Sequence, residues 1–248
     1  RLKALAPAGG SPRRAMSQAA MKLFTLLGCA QTVTGGYVLS RSYMGQDFFS
    51  SWKFWRGRDP AGGAVEYVSR EEASQLGLTA ASADRVYIGA DMNTQAVGSG
   101  RRSVRIESLD TFNSGLFVIR VDHAPTGCGS WPAFWMYGED ALHKWPAWGE
   151  YDIIEGVHSM TNVMTTLHTS AFCDQSSIAA KFGWLKGTTG NADSCDVEAP
   201  NQWYNQGCSQ YGPPASIGAE FNLRGGGTFA GDWDPVAGHI RTWFWPAG

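Results

Sequence analysis

From Tyr37 onward the sequence shows no helical periodicity longer than two turns, and this absence constrains the fold more than any other feature. The apolar and alternating runs are short, and Gly, Pro, Asn and Asp separate them, which is typical of strands joined by turns. The 31 glycines and the low share of charged residues, 17%, fit the same pattern. We therefore predict an all-β fold, either a β-sandwich or a jelly roll of packed antiparallel sheets.

Several runs are predicted to be strands of these sheets. Examples are Arg85–Ala90, Arg102–Ser108, Gly115–Asp122, Ala133–Met136, Glu150–Val157, Val163–Thr169, Gly227–Trp233 and His239–Trp245. One segment predicts a helix, because Ser69 can cap its N-terminus and glutamates occupy the first turn of 69–76. The sequence contains no internal repeat or linker, so we expect residues 37–248 to form a single domain.

A short apolar run near the beginning of the sequence predicts export. Lys22 precedes 23–30, an apolar stretch that ends in small residues suited to signal-peptidase cleavage. We expect residues 1–20 to be unstructured upstream sequence and residues 21–36 to be a signal peptide with its cleavage region. A bacterial lipoprotein attachment box, which would tether the protein through Cys29, is the less favoured interpretation.

The charge balance argues against a nucleic-acid partner or an anionic membrane partner. The chain has 20 basic and 22 acidic residues, a net charge of −2, whereas such partners require a concentrated basic face. No other run approaches the ~20 apolar residues of a membrane span. We therefore expect a secreted monomer with a neutral partner.

Four cysteines are left if Cys29 departs with the signal peptide, and an exported chain with an even number permits disulfides. They are Cys128, Cys173, Cys195 and Cys208. Cys195 and Cys208 bracket a polar, loop-like segment, so we favour that pair. Zinc is the alternative use of these thiols, but no paired Cys or His spacing supports it, and no metal site is predicted.

One predicted strand carries three acidic residues in a spacing that regular alternation does not explain. Glu150 and Asp152 share a face, whereas strict alternation would send Glu155 to the core. An unpaired carboxylate buried there would be strongly unfavourable. A one-residue bulge at Ile153-Ile154 resolves the conflict, since it resets the parity and lets all three acids project from one face.

Three carboxyl groups in line repel one another, so at least one should have a raised pKa. Hydrolysis of a glycosidic bond uses such a set: one carboxylate attacks the anomeric carbon or activates water, and a protonated partner donates to the leaving oxygen. The alternative is an acidic stripe that only faces solvent. Four nearby tryptophans argue against that alternative, because a flat indole ring suits stacking on a sugar. They are Trp131, Trp135, Trp145 and Trp148.

The strand that follows contains a histidine that we expect beside the acids. A turn near 159–160 would bring 163–169 back antiparallel to the acidic strand, with His168 close to the level of Glu150 and Asp152. An exposed histidine is often incidental, but this one would lie where it can orient the nucleophile.

The string Glu-x-Asp-x-x-Glu at Glu150–Glu155 resembles the bulged signature of glycoside hydrolase family 16. Other segments resemble the fungal-type laminarinases, or endo-1,3(4)-β-glucanases, and occur in the same order as in those proteins. These segments are Ser103–Ile106, Pro125–Trp135, Thr166–Thr169, Ser194–Val197 and Gly225–Ala230. The resemblance extends from about Tyr37 to the last residue.

This resemblance implies a concanavalin A-like jelly roll of two curved antiparallel sheets with a substrate cleft on the concave sheet. It implies a retaining double displacement on β-1,3-glucan or mixed 1,3-1,4-glucan, with Glu150 as nucleophile, Glu155 as general acid/base and Asp152 assisting. The implied sugar-binding residues are Arg105, Trp135, Trp145 and His168, with Trp131 and Trp148 as further candidates. No cofactor is implied; some relatives hold a structural calcium ion on the convex face, for which no ligand can be named in this sequence.

Two departures from the family pattern carry expectations of their own. Tyr151 occupies a position usually held by an aliphatic residue, and we expect it to face the core as a packing adjustment. Similar proteins continue beyond the position of Gly248 with further strands and cysteines, so we expect C-terminal strands to be missing. That would leave an exposed sheet edge, and the 248 residues alone are expected to be poorly stable or inactive.

Two other functions fit the same fold. A non-catalytic β-glucan-binding module would need no acids, and the retention of all three argues against it. A transglycosylase would pass the glycosyl group to another sugar instead of to water. Such relatives usually carry the shorter Glu-x-Asp-x-Glu, so the extra isoleucine argues against this function as well.

Overall fold

The computed structural model describes residues 2–7, 36–95, 98, 100–176, 184–186 and 192–248. The strands before the acidic segment are β1 (Leu2–Pro7), β2 (Tyr37–Tyr43), β3 (Trp52–Phe54), β4 (Gly57–Arg58), β5 (Val65–Tyr67), β6 (Thr79–Ala81), β7 (Val86–Ile88), β8 (Arg101–Ser103), β9 (Ile106–Ser108), β10 (Gly115–Val121) and β11 (Ala133–Tyr137). The others are β12 (Glu150–Glu155), β13 (Met164–His168), β14 (Leu185–Lys186), β15 (Cys208–Tyr211), β16 (Gly227–Asp234) and β17 (His239–Pro246). Two short α-helices, α1 (Arg70–Gln75) and α2 (Gly218–Leu223), and a 3₁₀ helix at Phe48–Ser51 complete the described elements.

Two five-stranded antiparallel sheets form the body of the structure. We call β11-β12-β13-β15-β14 the front sheet and β17-β16-β10-β1-β2 the back sheet. The remaining strands pair in three small sheets, β3-β9, β4-β5-β8 and β6-β7. This arrangement confirms the predicted β-sandwich.

The main core lies between the two large sheets. Phe117 on β10 and Phe229 on β16 face Tyr151 and Ile153 on β12, and all four side chains are buried. Full burial of such side chains stabilises the fold by about 1.5–3 kcal/mol each. The sheets approach so closely at Gly231 that a Cβ atom there would lie 2.7 Å from the Ile153 side chain. The core therefore fixes β12, the strand that bears the acids, against the back sheet.

The predicted strands recur in the structure, but the run 102–108 is divided. β8 pairs with β5 and β9 pairs with β3, so the chain changes sheets between them, at Val104 and Arg105. Helix α1 is confirmed, with Ser69 accepting a hydrogen bond from the Glu72 amide at 3.2 Å. Helix α2 was not predicted, because six residues are too few to show a helical period.

The beginning of the chain is described only in part. Residues 2–7, within the stretch expected to be unstructured, form β1 and pair with both β2 and β10. β1 lies between β2 and β10, so its backbone groups form ladder hydrogen bonds on both sides. The predicted signal segment at 21–36 lies outside the described residues except for Gly36, and so does Cys29.

A disulfide joins Cys195 to Cys208, the pair favoured from the sequence. It closes a 13-residue separation, which restricts the unfolded chain and is worth about 3 kcal/mol. The bond ties the loop before β15 to the front sheet, while Cys128 and Cys173 are free thiols. No helix in the described part of the chain has the length and apolar character needed to cross a membrane.

Candidate active site

A β-bulge interrupts the acidic strand where the sequence predicted one. In the pairing with β11, Phe134 lies opposite Ile154 and Trp135 lies opposite Asp152. Ile153 therefore has no partner on β11. On the other side, the register of β13 also shifts between Asp152 and Glu155. The bulge lets both isoleucines stay buried without turning Glu155 into the core.

The acidic side chains cluster on the outer face of the front sheet. Asp152 is buried, and one of its carboxylate oxygens lies 3.3 Å from Nε2 of His168. His168 pairs directly with Glu150 across β12 and β13, as the predicted hairpin requires. Glu155 is half-buried in the same group, where Asp152 and His168 both act on its carboxyl. The three acids therefore share one electrostatic environment.

Two tryptophans hold the glutamates by hydrogen bonds. Trp145 donates its indole proton to Glu150 Oε2 at 2.5 Å, and Trp131 donates to Glu155 Oε1 at 2.8 Å. An indole N–H stabilises an ionised carboxylate, and it leaves the rest of the ring free to contact sugar. Each glutamate thus has its own aromatic partner.

The pKa values of both glutamates are raised. Burial is the main cause for Glu150, and the negative charge of Asp152 adds to it, so its pKa rises to about 7 although His168 and the bond from Trp145 act against the rise. Burial and Asp152 likewise raise the pKa of Glu155, against the Trp131 hydrogen bond. The site therefore favours keeping a proton among its carboxyl groups near neutral pH.

His168 is fixed by its surroundings as well as by Asp152. Burial lowers the pKa of its imidazole, but the hydrogen bond to Asp152 and the nearby glutamates outweigh burial and raise it. Its Nδ1 atom is buried and has no hydrogen-bond partner within the described ranges. Gly207 packs against this ring, where a Cβ atom would lie only 2.7 Å from Nδ1, and its φ of 63° also favours glycine. The histidine can thus hold a positive charge beside the acids.

An arginine sandwich forms the adjoining part of the site. The Arg105 guanidinium lies 4.8 Å from the ring centres of both Trp55 and Trp135. Ion pairs with Glu107 at 3.4 Å and Asp59 at 3.9 Å hold the same group, whose side chain is only 14% exposed. Such a clamped guanidinium can present fixed donors to sugar hydroxyls.

The predicted tryptophans occupy different parts of the cleft. Trp135 stands directly opposite Asp152 on the neighbouring strand and stacks on Tyr137 with ring centres 5.3 Å apart. Trp148 is 59% exposed and donates to Asp140 at 3.0 Å, so it lies at the rim without bonding to the three acids. Tyr151 faces the core as expected.

Sequence reasoning missed Tyr137 and Trp55. Tyr137 could have been found, because it lies two residues beyond Trp135 and therefore on the same face of β11. Trp55 carries no such signal, because the pairing of β3 with β9 brings it to Arg105.

Glu150, Asp152 and His168 also offer donor atoms that lie within 4.8 Å of one another, close enough to hold a metal ion. An ion there would neutralise the carboxylates on which acid/base chemistry depends. The hydrogen bonds from Trp145 and Trp131 suit bare carboxyl groups. The arrangement therefore serves a pair of proton-exchanging carboxyls better than a metal centre.

A family model matches the part of the chain that contains this site. Residues 52–248 match the model of an XgeA-like, catalytic GH16 domain, which is most of the chain. The chain belongs to glycoside hydrolase family 16. The family resemblance noted in the sequence is thereby confirmed, and so is the jelly-roll sandwich.

Curated relatives align with most of this chain. The protein named "Probable glycosidase C21B10.07" of Schizosaccharomyces pombe is 40% identical over 211 residues, which are 84% of this chain and 47% of that protein. An endo-1,3(4)-β-glucanase of Arthroderma benhamiae is 37% identical over 225 residues, or 89% of this chain and 47% of that protein. The chain thus spans about half the length of these relatives.

Solved GH16 structures show the same fold. Laminarinase 16A from Phanerochaete chrysosporium, with β-glucans in both donor and acceptor sites, is 35% identical with a TM-score of 0.73. An elongating GH family 16 β-1,3-glucosyltransferase is 36% identical with a TM-score of 0.70. Each match covers 82% of this chain and 65% of the solved chain.

Proposed function

We propose that this GH16 domain hydrolyses β-1,3-glucan, or mixed 1,3-1,4-glucan, internally and with retention of anomeric configuration. The observation that carries the proposal is the bulged strand β12, on which Glu150 and Glu155 flank Asp152 on one face and each bonds to its own tryptophan. Two carboxyl groups of different protonation are the machinery that glycosidic cleavage requires.

In the first step, Glu150 attacks the anomeric carbon as its ionised carboxylate. Glu155 donates its proton to the glycosidic oxygen, the C–O bond to the leaving sugar breaks, and a glycosyl ester forms on Glu150. In the second step, Glu155 takes a proton from water, and the resulting hydroxide attacks the anomeric carbon and releases Glu150. Water is consumed once, and both glutamates return to their starting states.

The two glutamates have similar surroundings, and the pKa values of both are raised. Trp145 and His168 both favour the ionised form of Glu150, although burial keeps its pKa near 7. Burial and Asp152 raise the pKa of Glu155, and the Trp131 hydrogen bond and His168 act against the rise. Because Asp152 acts on both, the two carboxyl groups titrate together, and the proposed mechanism uses the form with a single proton, carried by Glu155.

The cleft suits an uncharged polysaccharide. Aromatic rings of Trp135, Tyr137, Trp145 and Trp148 line it, and the positive charge of Arg105 is already balanced by Asp59 and Glu107. Sulfated glycans would need free basic groups. Laminarinase 16A, a similar structure, holds β-glucans in its donor and acceptor sites, which supports a glucan for this domain too.

Transglycosylation is the second candidate function. It is supported by the similarity of this chain to a GH16 β-1,3-glucosyltransferase. The glycosyl ester on Glu150 is common to both reactions. Only the acceptor in the second step differs, since a sugar hydroxyl would replace water. Products longer than the starting oligosaccharide would identify this activity.

The test is incubation with laminarin, lichenan and agarose, followed by measurement of reducing ends and product lengths. The 248-residue chain and any longer natural chain that contains it are assayed side by side. Both are needed because low activity is expected only for the 248 residues alone. We expect rapid shortening of laminarin or lichenan by the more active form, which is used in the experiments below. Binding of laminarin without any turnover would instead indicate a recognition module.

Asp152→Asn is expected to move both limbs of the pH–activity profile to lower pH. The negative charge of Asp152 raises the pKa values of Glu150 and Glu155, so its loss lets Glu150 ionise, and Glu155 deprotonate, at lower pH. The measurement is kcat/KM against pH. Asp84→Asn, an exposed change in the turn between β6 and β7, is the control that should leave the profile unmoved.

We also propose that residues 37–248 are the catalytic domain of an exported protein, preceded by a signal segment at 21–36. The disulfide between Cys195 and Cys208 supports an oxidising compartment. Detection of the mature protein in the culture medium, beginning after residue 30 and therefore without β1, would test this proposal. Retention inside the cell with residues 21–36 intact would contradict it.

A further inference from the structure

A chain of buried hydroxyl groups connects the bulge of β12 to the back sheet. Thr165 on β13 donates its hydroxyl proton to the carbonyl oxygen of Asp152 at 2.7 Å. The same hydroxyl lies 3.3 Å from that of Thr242 on β17, which in turn contacts the hydroxyl of Tyr151. Tyr151 also donates to the carbonyl oxygen of Arg241 at 3.1 Å. We call Tyr151, Thr165 and Thr242 the hydroxyl chain.

Thr165 stands directly opposite the bulge. Asp152 pairs with Thr166 and Glu155 pairs with Met164, so Thr165 alone faces the two isoleucines between them. A bulge disrupts the backbone ladder and leaves a carbonyl group in need of another donor. The Thr165 hydroxyl supplies that donor to Asp152, within the strand that bears the acids.

The hydroxyl chain has fewer donor protons than hydrogen-bond contacts, so each member depends on the others. Three hydroxyl protons serve four contacts: Tyr151 to Arg241, Tyr151 to Thr242, Thr242 to Thr165, and Thr165 to Asp152. One proton must therefore be shared. Tyr151 and Thr165 are buried, so water cannot replace a lost partner at either end.

We infer that the hydroxyl chain is a positioning device, which fixes the bulge against the back sheet and thereby sets where Glu150 and Glu155 stand relative to one sugar. The catalytic consequence rests on the proposed function. The geometric consequence does not, because the placement of the carboxyl groups can be observed without turnover. A residue in such a device should affect the chemical step more than substrate binding, since small displacements of reacting groups lower the rate steeply.

Thr165→Val is the direct test, because it keeps the shape of the side chain and removes its hydroxyl. We expect kcat on laminarin to fall about 10- to 100-fold while KM changes less than about 3-fold. Thr165→Ser, which restores the hydroxyl, should recover most of kcat. Tyr151→Phe removes only the far end of the hydroxyl chain and should give a smaller loss, about 3- to 10-fold, in a core that accepts phenylalanine.

Tyr43→Phe is the matched control for lost stability. Tyr43 is also a buried tyrosine, and its hydroxyl bonds to Asp110 at 2.8 Å in a separate part of the core. The variant should melt at a lower temperature, yet its kcat should stay within about 2-fold of wild type. An equal loss of kcat in Tyr43→Phe and Tyr151→Phe would show that stability alone is responsible and would overturn the inference.

A second readout does not need turnover. Titration of the Glu150 and Glu155 carboxyl carbons by NMR, assigned with Glu150→Gln and Glu155→Gln, reports their placement around Asp152. Thr165→Val should shift both midpoints, whereas Tyr43→Phe should not. Wild-type midpoints in folded Thr165→Val would overturn the inference, even if the protein proves to cleave no glucan. Absence of turnover with shifted midpoints would refute the proposed function alone.

Discussion

Glu150→Gln is expected to abolish glucan hydrolysis, with a loss of kcat of about 10⁴-fold or more, while the affinity for laminarin oligosaccharides stays within about 3-fold. The amide keeps the size of the side chain and can still accept the hydrogen bond from Trp145. It cannot form the glycosyl ester. Initial rates and calorimetric titration measure the two effects separately.

The same substitution should stabilise the folded protein in a pH-dependent way. Burial raises the pKa of Glu150 from 4.5 to about 7, so the folded state binds this proton more tightly than the unfolded state does. The corresponding stability is fully present below pH 4.5 and is lost as pH rises through 7. A neutral glutamine avoids that loss, so the melting temperature of the variant should exceed that of wild type at pH 8 but not at pH 4.

The control is Glu220→Gln on helix α2, where an exposed glutamate pairs with Arg224 and, among the described residues, makes no hydrogen bond or ion pair with the acids of β12. It should change neither turnover nor the pH dependence of melting. Substantial hydrolysis by Glu150→Gln would remove Glu150 from the mechanism.

Glu155→Ala is expected to lower kcat/KM on glucan by about 10³-fold, but to leave the first step fast on an activated substrate. A dinitrophenyl glycoside of a laminarin oligosaccharide needs no proton to release its phenolate, so the glycosyl ester should still form on Glu150. Its hydrolysis needs Glu155 as base and should be slow. We therefore expect a burst of dinitrophenolate equal to the enzyme concentration, followed by a slow steady rate.

Addition of azide distinguishes the loss of a general base in Glu155→Ala from general damage to the site. As a strong nucleophile it needs no base, so it should accelerate the slow phase in Glu155→Ala and give a β-glycosyl azide. The matched change Trp148→Phe, at the cleft rim, should show neither the burst nor the azide effect. Equal losses on glucan and on the activated substrate in Glu155→Ala would argue against a role for Glu155 in proton transfer.

Local chemistry made the centre of the site predictable from the sequence. The parity conflict at Glu155 required the bulge, because a strand cannot bury an unpaired carboxylate. The turn after β12 then fixed His168 opposite Glu150. Cys195 and Cys208 could be paired because they bracket one polar loop. In each case the deciding partners lie within about 20 residues of one another.

The parts that depend on distant contacts were not predictable. Trp55 reaches Arg105 because β3 and β9, which lie about 50 residues apart in the sequence, pair in one small sheet, and no sequence spacing predicts that pairing. The contact between Tyr151 and Thr242 likewise joins strands 91 residues apart. Helix α2 was not predicted, because its six residues show no helical pattern in the sequence. The packing of Phe221 in the core stabilises it instead.

The most direct test of a double displacement on Glu150 is the anomeric configuration of the first product, followed by proton NMR during laminarin cleavage. The bulge places Glu150 and Glu155 on one face of the same cleft, as attack and proton donation in a double displacement require. Two inversions at one carbon restore the original configuration, so the β-anomer should appear first and the α-anomer only later by mutarotation. Initial release of the α-anomer would rule out a double displacement, because it would mean that water attacks the sugar directly and that no ester forms on Glu150.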